Sequence, residues 1–578
     1  MSYDLMFNKA NDLYEKACYD DAEKIYRSIL EAVPENPDVL NMIGLTAQAK
    51  GLHKQAISYF SQAIKVSPTH LPLYFNLAFS YQHLEKYVQA IEAYNKVLEL
   101  NPNIKETYNN LGNVYEQLKD KDKALQCYNK ALLLDNDYVD ALVNVAVLNN
   151  DLESLLNLDK KYPSSAIINY YIAKIYYEQN KIDEALRYID TADAIDENSF
   201  EINLLKAKTN AKLNNIDSAV KCFYKTVKFN HKCIEAWLNL ADIEENEEYY
   251  LKVLDLDPNN LSAHANYANL LYKQNRTLEA LEEYRKAVII NPDLPELSNN
   301  LALILKDMGD YERSLDLMMN AFTKDKTNTE FSVNIAETLI MFYKSEPEKA
   351  LNIAKKWVDL DANNVFAKHT LASFNNDSKN IDILYVKELF DKFASTYDET
   401  MEKIKYAVIK KVSELNIEFY GNVLDLGCGT GVFANCIKKD NIKQLIGVDI
   451  SQNMLNLAEK KRVYTNLFNK DAYTFLTENN IMFDFMVAFD VFEYISDIEK
   501  LFTKINAKTI IFNIETAKED IIDTILTYNG RIKHNPEYIK QILATSGYTL
   551  THEYHINLRQ ENDDIVAGVL FVATKNTF

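Results

Sequence analysis

Residues 422–451 read NVLDLGCGTGVFANCIKKDNIKQLIGVDIS. An apolar run, Val423-Leu424-Asp425-Leu426, meets a loop with glycines at 427, 429 and 431, and a helical stretch follows. A second apolar run, Gln444 to Ile450, carries an acid near its end, Asp449, 22 positions beyond Gly427. Glycine is needed where a strand turns sharply into a helix and backbone must come close to a ligand. An acid at the tip of the next strand is placed to accept both hydroxyl hydrogens of a ribose. The segment predicts a strand–loop–helix–strand unit built for a nucleoside.

The glycine spacing narrows the choice. A dinucleotide site has G-x-G-x-x-G, with an anionic pyrophosphate on the helix N-terminus. Here the order is D-x-G-x-G-x-G, and Val432 stands where the third dinucleotide glycine would fall. A carboxylate at Asp425 repels a pyrophosphate and suits a ligand with sulfonium and ammonium charges. The set Asp425 to Gly431, with Asp449, resembles the S-adenosylmethionine (SAM) site of the class I methyltransferases. The resemblance implies a Rossmann-like α/β domain and SAM as cofactor, with contacts from Asp425, Gly427, Cys428, Gly429, Gly431, Asp449 and Ile450. Met454 falls where an apolar side chain would lie on the adenine face. Asn469-Lys470-Asp471-Ala472 resembles the family's adenine-contacting segment, which implies Asp471 accepting from the exocyclic amine beside Ala472.

Outward from this unit, strand and helix alternate as a doubly wound parallel sheet requires. Ahead of it, VKELFDKFASTYDETMEKI resembles the F-D-x-x-A-x-x-Y-D helix that closes over the cofactor in many such enzymes, implying Phe393, Tyr397 and Asp398 as carried-over positions. A fourth strand, 483–489, ends in Asp490-Val491-Phe492-Glu493-Tyr494, a tip expected to face the methyl group, with Asp490 on the cofactor side. It lacks the N/D-P-P-Y/F and P-C motifs of base methylation and looks more like the D-V-L-x-H/Y tips of small-molecule and protein methyltransferases.

Before residue 376 a different grammar holds. Alanine recurs at Ala22, Ala56, Ala90 and Ala124, 34 residues apart, with Tyr26, Phe60, Tyr94 and Tyr128 in register and Pro34, Pro68 and Pro102 after them. Twelve positions before each alanine sits a small residue: Ala10, Gly44, Ala78, Gly112. Small residues let paired helices approach, aromatics fill the gap between units, and proline ends the second helix. The pattern resembles the tetratricopeptide repeat (TPR), a right-handed α-solenoid. The register returns at Ala185, Ala219 and Ala280, then Ser314 and Ala350. Two gaps of 61 residues each predict a unit shortened by about two turns. About eleven helix pairs are expected over 3–362, with a closing helix at 364–374.

One row within the repeats suggests a binding role. Asn76, Asn110, Asn144, Asn239, Asn266, Asn300 and Asn334 each open an N-[LVIY]-[AG] triplet. A line of amides on the inner groove offers donors and acceptors to the main chain of an extended peptide. It resembles the asparagine ladder of the TPR region in O-linked N-acetylglucosamine transferases, although asparagine is also common there in ordinary repeats. Met42, Tyr171 and Leu205 interrupt the row.

The expected organisation is a TPR solenoid over 1–376 and a class I methyltransferase domain over 384–578, joined by the polar segment 375–380. Near the end, Gly530-Arg531-Ile532-Lys533-His534-Asn535-Pro536-Glu537-Tyr538 resembles the G-R-x-x-H-s-x-x-Y segment of bacterial TPR–methyltransferase fusions, and NLRQENDDIVAGVLFVATK their closing hairpin. His534 is the first candidate base, Tyr494 the second, with Tyr538 and Arg531 as substrate-binding neighbours.

A net charge of −21 argues against a nucleic-acid backbone as partner. The 6 cysteines are scattered without a C-x-x-C pair, so neither zinc nor a disulfide frame is indicated. No secretory start or membrane span is apparent, and a cytoplasmic location is expected. The expected activity is transfer of a methyl group to an N or O nucleophile, with the repeats recruiting a protein or peptide. A small-molecule or cell-surface-precursor acceptor, or a TPR scaffold with an inactive domain, are the alternatives.

Overall fold

The computed structural model describes residues 3–378, 381–518, 521–561 and 564–576. Two residues of the polar junction 375–380 and two of the closing hairpin therefore lie outside the described residues. The chain forms two compact units, Met1–Leu256 and Asp257–Phe578.

The first unit is helical throughout, an α-solenoid of antiparallel pairs from Tyr3–Glu15 to Glu247–Leu256. The first helix of a full pair has 13 residues and the second 14. In the shortened pairs Val139–Leu148 and Leu152–Lys161 each helix has 10, and Ile234–Glu244 and Glu247–Leu256 have 11 and 10. Ala22, Ala56, Ala90 and Ala124 are fully buried, as are Tyr26, Phe60, Tyr94 and Tyr128. The reason for glycine at 112 is direct: a Cβ there would lie 2.5 Å from the Tyr128 ring. Each full pair turns through a residue with positive φ, at Ala17, Gly51, Glu85 and Lys119 in the first four. No helix of the described residues is long and apolar enough to cross a membrane.

The second unit begins with three more pairs, from Leu261–Lys273 to Pro347–Leu360, and a closing helix, Val365–Phe374. The expected cap helix is two helices, Ile383–Phe393 and Tyr397–Lys403, separated by a 3-10 turn. The sheet follows. Its strands are β1 (Gly421–Leu426), β2 (Ile442–Asp449), β3 (Asn466–Asn469), β4 (Phe483–Ala488), β5 (Ala507–Glu515), β8 (Tyr548–Glu561) and β9 (Asp564–Lys575). A separate hairpin pairs β6 (Thr524–Leu526) with β7 (Ile532–His534). The sheet order is β3-β2-β1-β4-β5-β9-β8. The first five strands are parallel, while β9 runs antiparallel to both β5 and β8. Alternate residues of the central strands bury into opposite faces, Leu424, Leu426 and Val448 on one side and Val423, Leu445 and Val487 on the other. That two-sided burial is what near-continuous apolar runs specify. The order reverses at β1, between β2 and β4, and ligands of open α/β sheets bind beyond the carboxyl ends of strands at such a point.

Candidate active site

A cavity of about 290 Å³ opens at that reversal. Gly427 and Gly429 from the loop after β1, Asp449 and Ile450 from the end of β2, Met454, Asp471 and Ala472, and Asp490 and Tyr494 after β4 all line it, with Tyr397 and Arg531. The structure thus brings residues spread over more than 130 positions to one hollow.

The loop that builds its floor is held by main chain. Gly427 and Cys428 N–H groups both donate to the Val448 carbonyl, at 2.8 and 3.0 Å. Gly427 has φ +71°, and a Cβ there would overlap the Val491 side chain. At Gly429 the nearest atom to an added Cβ is the Tyr397 ring at 3.9 Å, so a side chain would fill the cavity instead. Asp449 Oδ2 accepts the Gly429 N–H and Oδ1 the Ser451 N–H, each at 2.8 Å. Burial raises its pKa to about 6 against the pull of those two donors. Asp471 caps the helix Ala472–Glu478 by accepting from Thr474 N–H at 2.9 Å, which fixes its carboxyl at the cavity edge.

Three expected cofactor positions lie outside the cavity lining. Asp425, Cys428 and Gly431 do not line the cavity. Asp425 is 2 % exposed and takes a hydrogen bond from the Tyr464 hydroxyl at 2.5 Å, and burial raises its carboxyl to about 7. Cys428 is buried toward Gly447, whose added Cβ would fall 2.9 Å from its sulfur. Gly431, with φ +84°, starts a five-residue helix, Val432–Cys436. These residues shape the loop from beneath.

The two candidate bases divide. Tyr494 lines the cavity, its ring edge-on to Phe390 at 5.2 Å. Burial raises its hydroxyl pKa, and neighbouring Arg531 opposes the shift. His534 is a correction: it is fully buried, does not line the cavity, and its Nε2 bonds the Phe492 carbonyl at 3.0 Å. Burial holds its pKa near 4, so at neutral pH the ring is uncharged, and its Nε2–H is spent on that carbonyl, away from the cavity. Asn535, not His534, caps the helix Pro536–Thr545. Tyr538 is also away from the cavity, donating to Glu499 at 2.8 Å.

Sequence reading missed an ionic network around Asp490. Asp490 has φ +51°, a left-handed conformation that aspartate tolerates better than most residues. Asn513 clamps it twice: its Oδ1 accepts the Asp490 N–H at 3.0 Å and its Nδ2 donates to Oδ1 at 2.6 Å. Arg559, only 3 % exposed, bonds Asp490 at 3.2 Å, Glu561 at 2.7 Å and Glu515. Arg531 bonds Glu515 at 3.3 Å and Glu561. Burial raises the pKa of Asp490, takes Glu515 to about 7, and keeps Glu493, repelled also by Asp490 and Glu515, well above the carboxylate range. No short spacing announces the network, since Asp490 and Arg559 are 69 positions apart.

Asp391 was missed as well, although it is the acid of the F-D-x-x-A-x-x-Y-D segment. It accepts from Ser451 Oγ at 2.6 Å and Asn453 N–H at 3.2 Å, pinning the cap helix to the residues that follow β2. Asp398 bonds Thr430 and, at 2.9 Å, Lys461. Phe393 lines the cavity beside Tyr397.

The asparagine row is largely engaged with its own neighbours. Asn76, Asn144 and Asn334 donate to Asn41, Asn109 and Asn299, each 35 residues earlier, at 3.0, 2.9 and 3.1 Å. Asn239 bonds the Glu235 carbonyl at 2.8 Å, Asn300 the Tyr284 hydroxyl at 3.3 Å, and Asn110 adjoins the Tyr94 hydroxyl. Asn266 is likewise not free. The amides of Asn76, Asn144, Asn300 and Asn334 tie helices of successive repeats, whereas that of Asn239 turns back on its own helix.

Comparison with known families follows the same division. A family model described as a methyltransferase domain matches residues 397–553. Models described as tetratricopeptide or TPR repeats match 70–136, 249–282 and 268–309, and one for anaphase-promoting complex, cyclosome, subunit 3 matches 15–97. The chain is a fusion of tetratricopeptide repeats with a methyltransferase domain. It is 34% identical over 73 residues, 13% of its length and 29% of the relative's, to the putative methyltransferase YqeM of Bacillus subtilis. It is 28% identical over 165 residues, 25% of its length and 19% of the relative's, to the human protein O-mannosyl-transferase TMTC1. The chain therefore spans less than a third of either curated relative. A solved tetratricopeptide repeat protein from Parabacteroides merdae is 20% identical, with a TM-score of 0.38 over 42% of this chain and 99% of that one.

Proposed function

We propose that this TPR–methyltransferase fusion is a SAM-dependent enzyme that methylates an N or O nucleophile, with the repeats recruiting a protein or peptide acceptor. The observation that carries the reading is the convergence of Asp449, Asp471, Met454 and the bare loop at Gly427 and Gly429 on one cavity. In this reading Asp449 accepts from the ribose hydroxyls, Asp471 from the adenine amine beside Ala472, and Met454 and Ile450 pack the base. Gly429 leaves room for the methionine end, where a Cβ would intrude. The fit to a sulfonium-bearing ligand is supported by the acids on the wall, Asp449, Asp471 and Asp490. Bound there, SAM supplies an electrophilic methyl group.

The residues of this chain then have two tasks. They exclude water, through Phe390, Phe393 and Tyr397 on the cap helices. They also align the acceptor, an effect that contributes on the order of 7–11 kcal/mol when two reactants are held in line. An acceptor that arrives protonated needs a base, and Asp490 and Tyr494 are two titratable groups on the cavity wall whose pKa burial raises. In the first unit, the carbonyl oxygens of Asn76 and Asn144, whose amide donors are engaged, keep lone pairs that a peptide main chain can use.

The test is transfer of labelled methyl from SAM by the full-length protein into a cell lysate, resolved by size. Label in discrete polypeptide bands is expected. Label only in material below protein size would replace the polypeptide acceptor with a small molecule, and no transfer at all would end the enzymatic reading.

A further inference from the structure

The cavity wall is not confined to the sheet domain. Glu337, on the helix Thr329–Ser345 of the last repeat pair, lines it together with Arg531 and Tyr494. Arg531 reaches the cavity from the turn between β6 and β7. That turn closes on itself, with Gly530 N–H donating to the Thr527 carbonyl and Thr527 N–H to the Arg531 carbonyl, each at 2.9 Å.

Two helices of the repeats grip this turn. On the closing helix, His369 Nε2 bonds the Gly530 carbonyl at 3.0 Å. The imidazole is 2 % exposed and stacked on the Tyr385 ring, 3.6 Å between centroids at 15°. A carbonyl only accepts, so the Nε2 carries the proton and donates, while the Nδ1 has no partner among the described residues. Gly530 has φ +82°, and a Cβ there would come within 2.9 Å of that nitrogen. On the other side, Tyr343 of the helix Thr329–Ser345 stacks on Tyr528 at 5.8 Å and 15°, and on Phe374 at 4.2 Å and 19°. The turn that ends in Arg531 is therefore fastened at its carbonyl and at its ring, both times by repeat helices.

We propose that His369 is a positioning residue that sets Arg531 at the acceptor end of the cavity, making the last repeats a working part of the site. The inference rests on the methyltransferase reading above. It gives the repeats a second role beside recruitment. The helices Thr329–Ser345 and Val365–Phe374 thus connect to the Arg531 turn through one hydrogen bond and one ring stack.

The experiment compares full-length His369→Leu and His369→Gln with the wild type. Leucine keeps apolar volume but leaves the Gly530 carbonyl unpaired, whereas glutamine restores a donor. Three quantities are read: backbone hydrogen exchange over 527–534, SAM affinity by calorimetry, and the lysate concentration giving half-maximal methyl transfer. In His369→Leu, exchange of the turn and the half-saturating lysate concentration are expected to rise about five- to tenfold, as for loss of one hydrogen bond to a buried group. SAM affinity stays within about twofold, and His369→Gln recovers most of both losses. Unchanged exchange and unchanged half-saturation in His369→Leu overturn the proposal. Should that variant not fold, Gly530→Ala pushes the same turn off the same nitrogen, and wild-type values there overturn it equally. A wild type that binds no SAM refutes the parent reading instead, and the exchange measurement still decides whether the repeats hold the turn.

Discussion

Asp449→Asn isolates the ribose contact proposed for this carboxylate. In the folded protein each carboxylate oxygen already accepts one backbone N–H at 2.8 Å, from Gly429 and Ser451. Each keeps a second lone pair for a ligand hydroxyl. An amide retains one acceptor, loses the other, and removes the charge. A hydrogen bond to a charged group contributes about 1.5–3 kcal/mol. Losing one and weakening its neighbour sums to about 2–4 kcal/mol, a roughly 30- to 700-fold rise in the Kd for SAM. The same carboxyl predicts a pH dependence. Burial raises its pKa to about 6. Above that value it is ionised and affinity is constant; below it, protonation removes charge and acceptor, and affinity falls about tenfold per pH unit. Calorimetric titration of SAM across that range, on wild type and on Asp449→Asn with its melting temperature as a control for folding, gives both quantities. A folded Asn variant within about threefold of wild type, or wild-type affinity that does not fall on acidification, refutes the assignment.

Three further outcomes are expected. Gly112→Ala places a methyl 2.5 Å from the Tyr128 ring and is expected to destabilise the first unit by about 1–3 kcal/mol, read from urea melts followed by circular dichroism. Arg559→Met strips Asp490 of its bonded cation and leaves buried Glu515 with Arg531 alone at hydrogen-bond distance, a loss of about 3–5 kcal/mol in the melting of the second unit, and adding Glu515→Gln is expected to restore part of it. His534→Leu is expected to leave SAM affinity unchanged within experimental error, because the ring is outside the cavity. The folded pKa of His534, about 4, lies below its ordinary value of 6.5, so the unfolded chain takes up a proton that the folded one refuses. Its contribution is full above 6.5 and is lost as pH falls from there through 4. Relative to His534→Leu, the wild type should lose up to about 3 kcal/mol over that interval.

The repeats were legible because their contacts are short in sequence and recur. Ala22 and Tyr26 meet residues of the same pair, and Gly112 is small because Tyr128, 16 positions on, occupies its space. Even the shortened units show in the spacing, since seven residues removed from helices of 13 and 14 leave two of 10. The loop after β1 was legible for a similar reason. A strand-to-helix turn with backbone near a ligand needs positive φ at Gly427, and the acid at the end of the adjoining parallel strand comes within 2.8 Å of it through Gly429. Asp391 stood in the quoted cap motif, yet its bonds to Ser451 and Asn453 depend on how that helix lands.

His534 shows where such reading ends. A histidine before Asn-Pro looks the same whether its ring points to a cavity or to the Phe492 carbonyl, and only the packing of β7 against the residues after β4 chose the latter. The ionic cluster is a stronger case: Asp490, Asn513, Arg531 and Arg559 come from four separate segments, and no local pattern links them. From sequence alone follow the helix pairs, the sheet domain and the glycine loop after β1, because periodic burial and local stereochemistry dictate each within a few dozen residues. Which acids are paired, which histidine is buried, and which repeat helices reach the cavity was left to tertiary structure, because those choices hang on the orientation of side chains brought together from distant strands.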